Sequence, residues 1–138
     1  MIEMKKFNGL MTSLSPHWGT PKALYDQLNQ EFNFNFDPCP LNCLDFDGLS
    51  CEWGSSTFCN PPYGREITKW IEKAYNESLI LGKTVVLLIP ARTDTKWWHN
   101  YIMKAYEIRF IKGRLKFGDA KNNAPFPSVV VIFKPCYF

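Results

Sequence analysis

With 138 residues, 46% hydrophobic and 16% aromatic content, the chain has material for one hydrophobic core and so for one domain. A formal charge of +3 and a pI near 8.6 are mildly basic, which permits contact with nucleic acid without requiring it. The longest apolar run, 85–89, is far too short to cross a bilayer, and the N-terminus lacks a secretory hydrophobic region, so a soluble cytoplasmic protein with no membrane partner is expected.

Five cysteines, Cys39, Cys43, Cys51, Cys59 and Cys136, show no Cys-x-x-Cys pairing, and their odd number argues against a disulfide framework. Buried thiols are the favoured reading and no metal site is expected; zinc is the lesser alternative.

Residues 1–15 carry little periodicity and are expected to form a mobile arm, with a single domain over 16–138. Thr20 before Pro21 reads as a helix start, the hydroxyl capping and the proline in the first turn. Leu24, Leu28 and Phe32 continue it as an apolar stripe, predicting a helix over about 21–31. Trp18, just ahead of that start, can flank a small-molecule pocket. Next, Phe34-Asn35-Phe36-Asp37-Pro38 alternates and then stops, a short strand presenting Asp37 at its carboxyl end, where ligands of open α/β sheets sit. Asp-Pro is equally a turn initiator. The polar connection that follows contains Asp47, placed either to accept from a bound amine or to sit solvated.

The most specific stretch is 57–63, Thr-Phe-Cys-Asn-Pro-Pro-Tyr. Thr57 to Cys59 suit a buried strand, whereas Pro61 and Pro62 cannot donate to a ladder and Asn60, preceding proline, is kept out of the helical region. Little backbone entropy is left to lose, so the Asn60 side chain, the Pro61 carbonyl and the Tyr63 ring are held in fixed relation. Two acceptors beside a flat ring fit the exocyclic amine of a planar base, flipped from a duplex and stacked on Tyr63. The competing reading of this stretch taken alone is a tight turn with Tyr63 as a packing residue.

Ile67, Trp70, Ile71, Ala74 and Ser78 predict a helix over 66–81 ending at Gly82. Residues 85–89 read as a strand covered on both faces. Asp94 is placed to cap a helix carrying Trp97, Trp98 and Ile102. Strands follow at 106–111 and 129–133, separated by a basic loop or hairpin, 112–118, and a polar tract, 119–127.

Taken together, Trp18-Gly19-Thr20-Pro21, Phe36-Asp37-Pro38, Asp47-Gly48-Leu49, Asn60-Pro61-Pro62-Tyr63, 87–97 and Gly113-Arg114-Leu115-Lys116-Phe117 resemble the phage-type DNA N6-adenine methyltransferases of the Dam family. The resemblance runs from about Trp18 to Phe133. It implies S-adenosylmethionine as donor, double-stranded DNA as substrate, adenine N6 as target and, for a phage-encoded chain, the host-cell cytoplasm. It further implies a catalytic loop of Asn60, Pro61, Pro62 and Tyr63, with Trp18, Thr20, Pro21, Asp37, Pro38 and Asp47 towards the donor. The fold implied is a cut-down Rossmann-like methyltransferase domain with a mostly parallel sheet and a late antiparallel element. Pro40-Leu41-Asn42 stands where such enzymes usually carry a glycine-rich turn, and the segment 38–59 is shorter than the roughly 30 residues of a βαβ unit. Arg65, Arg92, Lys96, Arg114 and Lys116 are the candidate DNA contacts. Since no segment is large enough for a separate recognition domain, either the recognised site is short or a second subunit, as in a homo-oligomer, contributes. Two alternatives remain: a methyltransferase acting on protein glutamine amides, and a catalytically inactive DNA-binding module.

Overall fold

The computed structural model describes residues 19–40, 47–80, 82–118 and 121–135. The arm expected over 1–15, Trp18, Cys43 and Cys136 lie outside them.

Strand β1 (Ser56–Cys59) leads through helix α2 (Ile67–Ser78) into strand β2 (Thr84–Pro90), and the two strands pair in parallel, Cys59 level with Leu87. From there the chain passes through a short helix α3 (Lys96–Asn100) and a 3-10 turn (Ile102–Lys104) to β3 (Glu107–Phe110). A loop over 111–127 then returns it as β4 (Ser128–Phe133), which inserts between β2 and β3. The sheet order is therefore β1-β2-β4-β3, with β4 antiparallel to both neighbours.

This corrects the expectation of a mostly parallel sheet: within the named strands there is one parallel pair and two antiparallel ones. The reason is the final return, since a strand that comes back to its predecessor's side without a crossover helix must run antiparallel. Among the described residues one β-α-β unit stands where a Rossmann-like core repeats several, and that fold is not confirmed. The late antiparallel element is present as expected.

Helix α1 (Lys22–Phe32) closes one face of the sheet. Its Tyr25 meets Phe58 edge-on at 5.1 Å, and Arg109 of β3 holds Glu31 with two guanidinium bonds of 2.7 and 2.6 Å. Register puts Phe58, Val86, Ile132 and Glu107 on that face; Val85 and Phe133 share the opposite one, where Tyr75 of α2 packs on Phe133. Covered on both sides, β2 is buried from Val85 through Pro90, as its unbroken apolar run demands.

Helix α1 ends at Asn33 in the left-handed region (φ 51°), its N–H donating to the Asn29 carbonyl while Asn29 Oδ1 takes the N–H of Phe34. The chain is thereby turned back along β1. The short strand expected at this point forms a single parallel bridge, Phe36 to Thr57, with hydrogen bonds from Asn35 N to Ser56 O and Phe58 N to Phe36 O. Asp37-Pro38 ends the pairing, because proline has no N–H to offer. Two capping expectations also change. Thr95, not Asp94, caps α3, its hydroxyl accepting from Trp98 N, and α2 stops at Ser78 with Leu79 at its C-cap, short of Gly82.

A buried ion pair ties the two ends of the β-α-β unit together. Glu77, at the end of α2, accepts from Lys83 Nζ at 2.7 Å, from Lys73 Nζ at 3.0 Å and from the Trp53 backbone N–H at 3.0 Å. Burial pushes the Glu77 carboxyl up, but these three donors outweigh it and hold it below the usual range. Lys83 is likewise pushed down by burial yet raised overall by Glu77 and Glu52. A carboxyl lowered in the folded state stabilises above its unfolded pKa of about 4.3, and that contribution is lost as pH falls through the folded value. Glu77→Ala leaves Lys83 and the Trp53 N–H without their partner. It is expected to cost about 3 kcal/mol and to lower the melting temperature by roughly 10 °C. Glu77→Gln is expected to flatten the loss of stability below about pH 5, which acid titration followed by circular dichroism measures.

Candidate active site

The strand directions gather the chemistry at one end of the sheet. The carboxyl ends of β1, β2 and β3 and the start of β4 coincide there, since Leu87 is level with Cys59, Pro90 with Ser128 and Phe110 with Val129. Asn60 to Tyr63, residues 91–95 and the loop 111–127 all emerge at that end. Asp37 follows the Phe36–Thr57 bridge and so arrives there too.

Asn60 is held from both sides of its amide. Its Nδ2 donates to Thr20 Oγ1 at 3.0 Å, and the Tyr63 hydroxyl approaches its Oδ1 at 3.0 Å. The same hydroxyl lies 3.2 Å from the Leu88 carbonyl on β2, so its proton is shared between two acceptors. Parallel register brings that carbonyl within reach, because the residue after Cys59 is level with the residue after Leu87. Pro61 and Pro62 are both buried, and Gly64 turns the chain outward at φ 96° into the exposed Arg65.

Tyr63 is not a surface platform. Only 8% exposed, its ring meets Phe117 at 6.3 Å and Phe126 at 5.5 Å, both edge-on. Burial, reinforced by Cys59, pushes its phenol far above the ordinary tyrosine range, so it remains a hydrogen-bond donor at any physiological pH. Stacking a base on this ring requires the 111–127 loop or the ring itself to move.

Thr20 does not cap α1: Pro21 occupies the cap position and makes no side-chain cap bond. Asp37 Oδ1 accepts from Cys39 N at 2.9 Å, an Asx turn, and burial pushes this carboxyl up against the lowering effect of that N–H. Nearby Cys59 is raised well above its ordinary value by burial and then by Cys39 and Asp37, which keeps it a neutral thiol. Pro38 is buried, with Gly48 pressed so closely on its carbonyl that a Cβ there would lie 1.9 Å from the oxygen. That contact seats Asp47, exposed, with Oδ1 taking the Leu49 N–H at 3.0 Å. The structure therefore brings Thr20, Asn60, Pro61, Pro62 and Tyr63 into one cluster, with Asp37, Pro38 and Asp47 in the adjoining loops. Among the described residues no group of three or more His, Cys, Asp or Glu is arranged to hold a metal.

Arg65, Arg92, Lys96, Arg114 and Lys116 are all exposed around this end. Arg92 lies over the Phe126 ring at 6.0 Å. None of the five forms an ion pair with a described residue, whereas Lys73, Lys83 and Arg109 elsewhere are each engaged.

Sequence reasoning singled out Phe117 only as the end of the 113–117 motif and Phe126 not at all, and it missed that the two wall in Tyr63. Phe117 and Phe126 are isolated aromatics in an otherwise polar tract, a signal that marks them as anchors rather than loop filler. It missed also the N–H of Gly118 donating to the Gly19 carbonyl at 2.8 Å, which pins the loop to the segment ahead of α1.

A protein of Haemophilus phage HP1 (strain HP1c1) named DNA N-6-adenine-methyltransferase is 27% identical over 136 residues, spanning 86% of this chain and 78% of the relative. The family model described as DNA N-6-adenine-methyltransferase (Dam) matches residues 9–137. With nearly the whole sequence matched and the Asn-Pro-Pro-Tyr loop set at the carboxyl end of β1, the chain belongs to the Dam family of DNA N-6-adenine methyltransferases.

Proposed function

We propose that this protein transfers the methyl group of S-adenosylmethionine to N6 of an adenine flipped out of double-stranded DNA. The observation that carries this reading is the Asn60 amide, held at both ends and set at the sheet end where cations with no ion pair among the described residues gather.

S-adenosylmethionine supplies an electrophilic methyl carbon on a sulfonium sulfur. Its ammonium and adenine amine need acceptors, and the residues present fit that need: Asp37 and Asp47 each spend one carboxylate oxygen on a backbone N–H and leave the second for a ligand. Pro21 and Pro38 give those loops a fixed course.

Asn60 Oδ1 and the Pro61 carbonyl accept the two amine protons of the target adenine. Accepting both would draw the nitrogen lone pair out of conjugation with the ring and turn it to the methyl carbon; as the N–C bond forms the S–C bond breaks, a neutral thioether leaves and one amine proton passes to solvent. Little reorganisation is needed, since Asn60 is already oriented. Tyr63 contributes its hydroxyl to that orientation, and its ring stacks on the base once the 111–127 loop is displaced. Arg65, Arg92, Lys96, Arg114 and Lys116 neutralise phosphates around the extruded base, favouring a polyanion over a glutamine-bearing peptide.

Labelled methyl transfer to unmethylated duplex DNA, followed by digestion to nucleosides, is expected to yield N6-methyladenine. Asn60→Ala should reduce the rate at saturating substrates at least about a hundredfold, and an unchanged rate would remove Asn60 from the chemistry. Tyr63→Phe keeps the ring and removes the hydroxyl; a rate loss of roughly tenfold is expected, against none if stacking were its whole contribution. Arg114→Ala and Lys116→Ala should each weaken DNA binding and lower the slope of log affinity against log salt by about 1. Salt-independent binding would instead favour the protein-amide substrate.

A further inference from the structure

Thr20 has a local use that it declines. A threonine ahead of Pro-Lys is well placed to cap a helix, yet α1 begins without any side-chain cap, and the hydroxyl reaches across 40 residues to Asn60 instead. An uncapped start leaves the backbone N–H groups of the first turn without a side-chain acceptor, a cost to the helix. Local rules broken in this way concentrate at functional sites. The diverted hydroxyl lies 3.0 Å from the amide nitrogen of the residue on which the proposed chemistry depends.

A second observation shows that this placement is built rather than incidental. Gly19, immediately before Thr20, has its carbonyl occupied by the N–H of Gly118 at 2.8 Å. Gly118 follows Phe117, one of the two rings packed on Tyr63. Thr20 is thus pinned through its backbone to the loop that walls in Tyr63, and through its side chain to Asn60. A partner at each end restrains the rotation of an Asn amide and holds its plane, although a hydroxyl, able both to donate and to accept, does not alone choose which end is oxygen. Tyr63 marks the Oδ1 end, and Thr20 marks the Nδ2 end.

We propose that Thr20 is a positioning residue for methyl transfer: its hydroxyl fixes the Asn60 amide with Oδ1 presented to the target amine. This differs from the donor-contact role that its sequence context suggests, and it rests on the reading of Asn60 as acceptor of that amine. A donor contact acts on donor affinity, whereas a positioning residue acts on the rate once both substrates are bound.

The test uses the full chain and compares wild type with Thr20→Val, Thr20→Ala, Thr20→Ser and Asn60→Ala. Rates are measured at saturating S-adenosylmethionine and duplex DNA, donor affinity by calorimetry and folding by thermal melting. Expected is a fall in kcat of roughly ten- to a hundredfold for the Val and Ala variants. Donor affinity should stay within about twofold, and Ser should restore kcat to within about threefold of wild type. Wild-type kcat in the folded Val and Ala variants overturns the proposal, with or without a loss of donor affinity. Should Val perturb folding, the smaller Ala variant decides by the same criterion. If Asn60→Ala keeps wild-type kcat, the reading of the site fails and this proposal with it; if Asn60→Ala is inactive and both Thr20 variants are fully active, the proposal alone fails.

Discussion

The amide of Asn60 is the point on which the structure turns. Among the described residues it is held by Thr20, 40 residues away in the segment ahead of α1, and by Tyr63, three residues on beyond the two prolines. Tyr63 is itself fixed by the Leu88 carbonyl, which is within reach only because β1 and β2 pair in parallel with their carboxyl ends level. The β-α-β unit therefore does more than build a core. It sets the depth at which the tyrosine hydroxyl sits, and hence the angle of the amide. The buried Glu77–Lys83 pair holds the opposite end of the same unit, where α2 hands the chain to β2.

Charge is divided in the same way between scaffold and site. Lys73, Lys83 and Arg109 are spent on carboxylates and on closing helices against the sheet. The cations at the carboxyl end form no ion pair with any described residue, and they surround the loop that holds Asn60. Paired charges far from the site stabilise the fold; unpaired charges near it are left for an anion. This division makes a nucleic-acid partner the natural one for a chain whose total charge is only mildly basic.

Much of this was legible in the residues because local signals and global fold agree. The 85–89 run could only be a strand covered on both faces, and the Trp70-Ile71-Ala74 spacing could only be the inner face of a helix. Two prolines after Asn60 announced a rigid loop whatever surrounded it. What failed did so where a residue had two local uses. Thr20 could cap or reach, and tertiary contact chose the reach. Asp94 and Thr95 could each cap, and the backbone placed the threonine at the extended position, φ −85° and ψ 157°. The late antiparallel element was legible, but the balance of parallel and antiparallel pairs was not, because an apolar run reads the same in either sense. The burial of Tyr63 was invisible too, since it depends on Phe117 and Phe126 folding back from a tract that reads as polar loop.

The most direct measurement of the central claim, a preorganised amide, is the side-chain dynamics of Asn60 in the free protein by nitrogen-15 relaxation, its resonance assigned by comparison with Asn60→Ala. A clamped amide should show an order parameter near that of rigid backbone, about 0.85, before any donor or DNA is added. A value below about 0.6, typical of a freely rotating side chain, would contradict the account: the amide would then be oriented by the substrate and not by the fold.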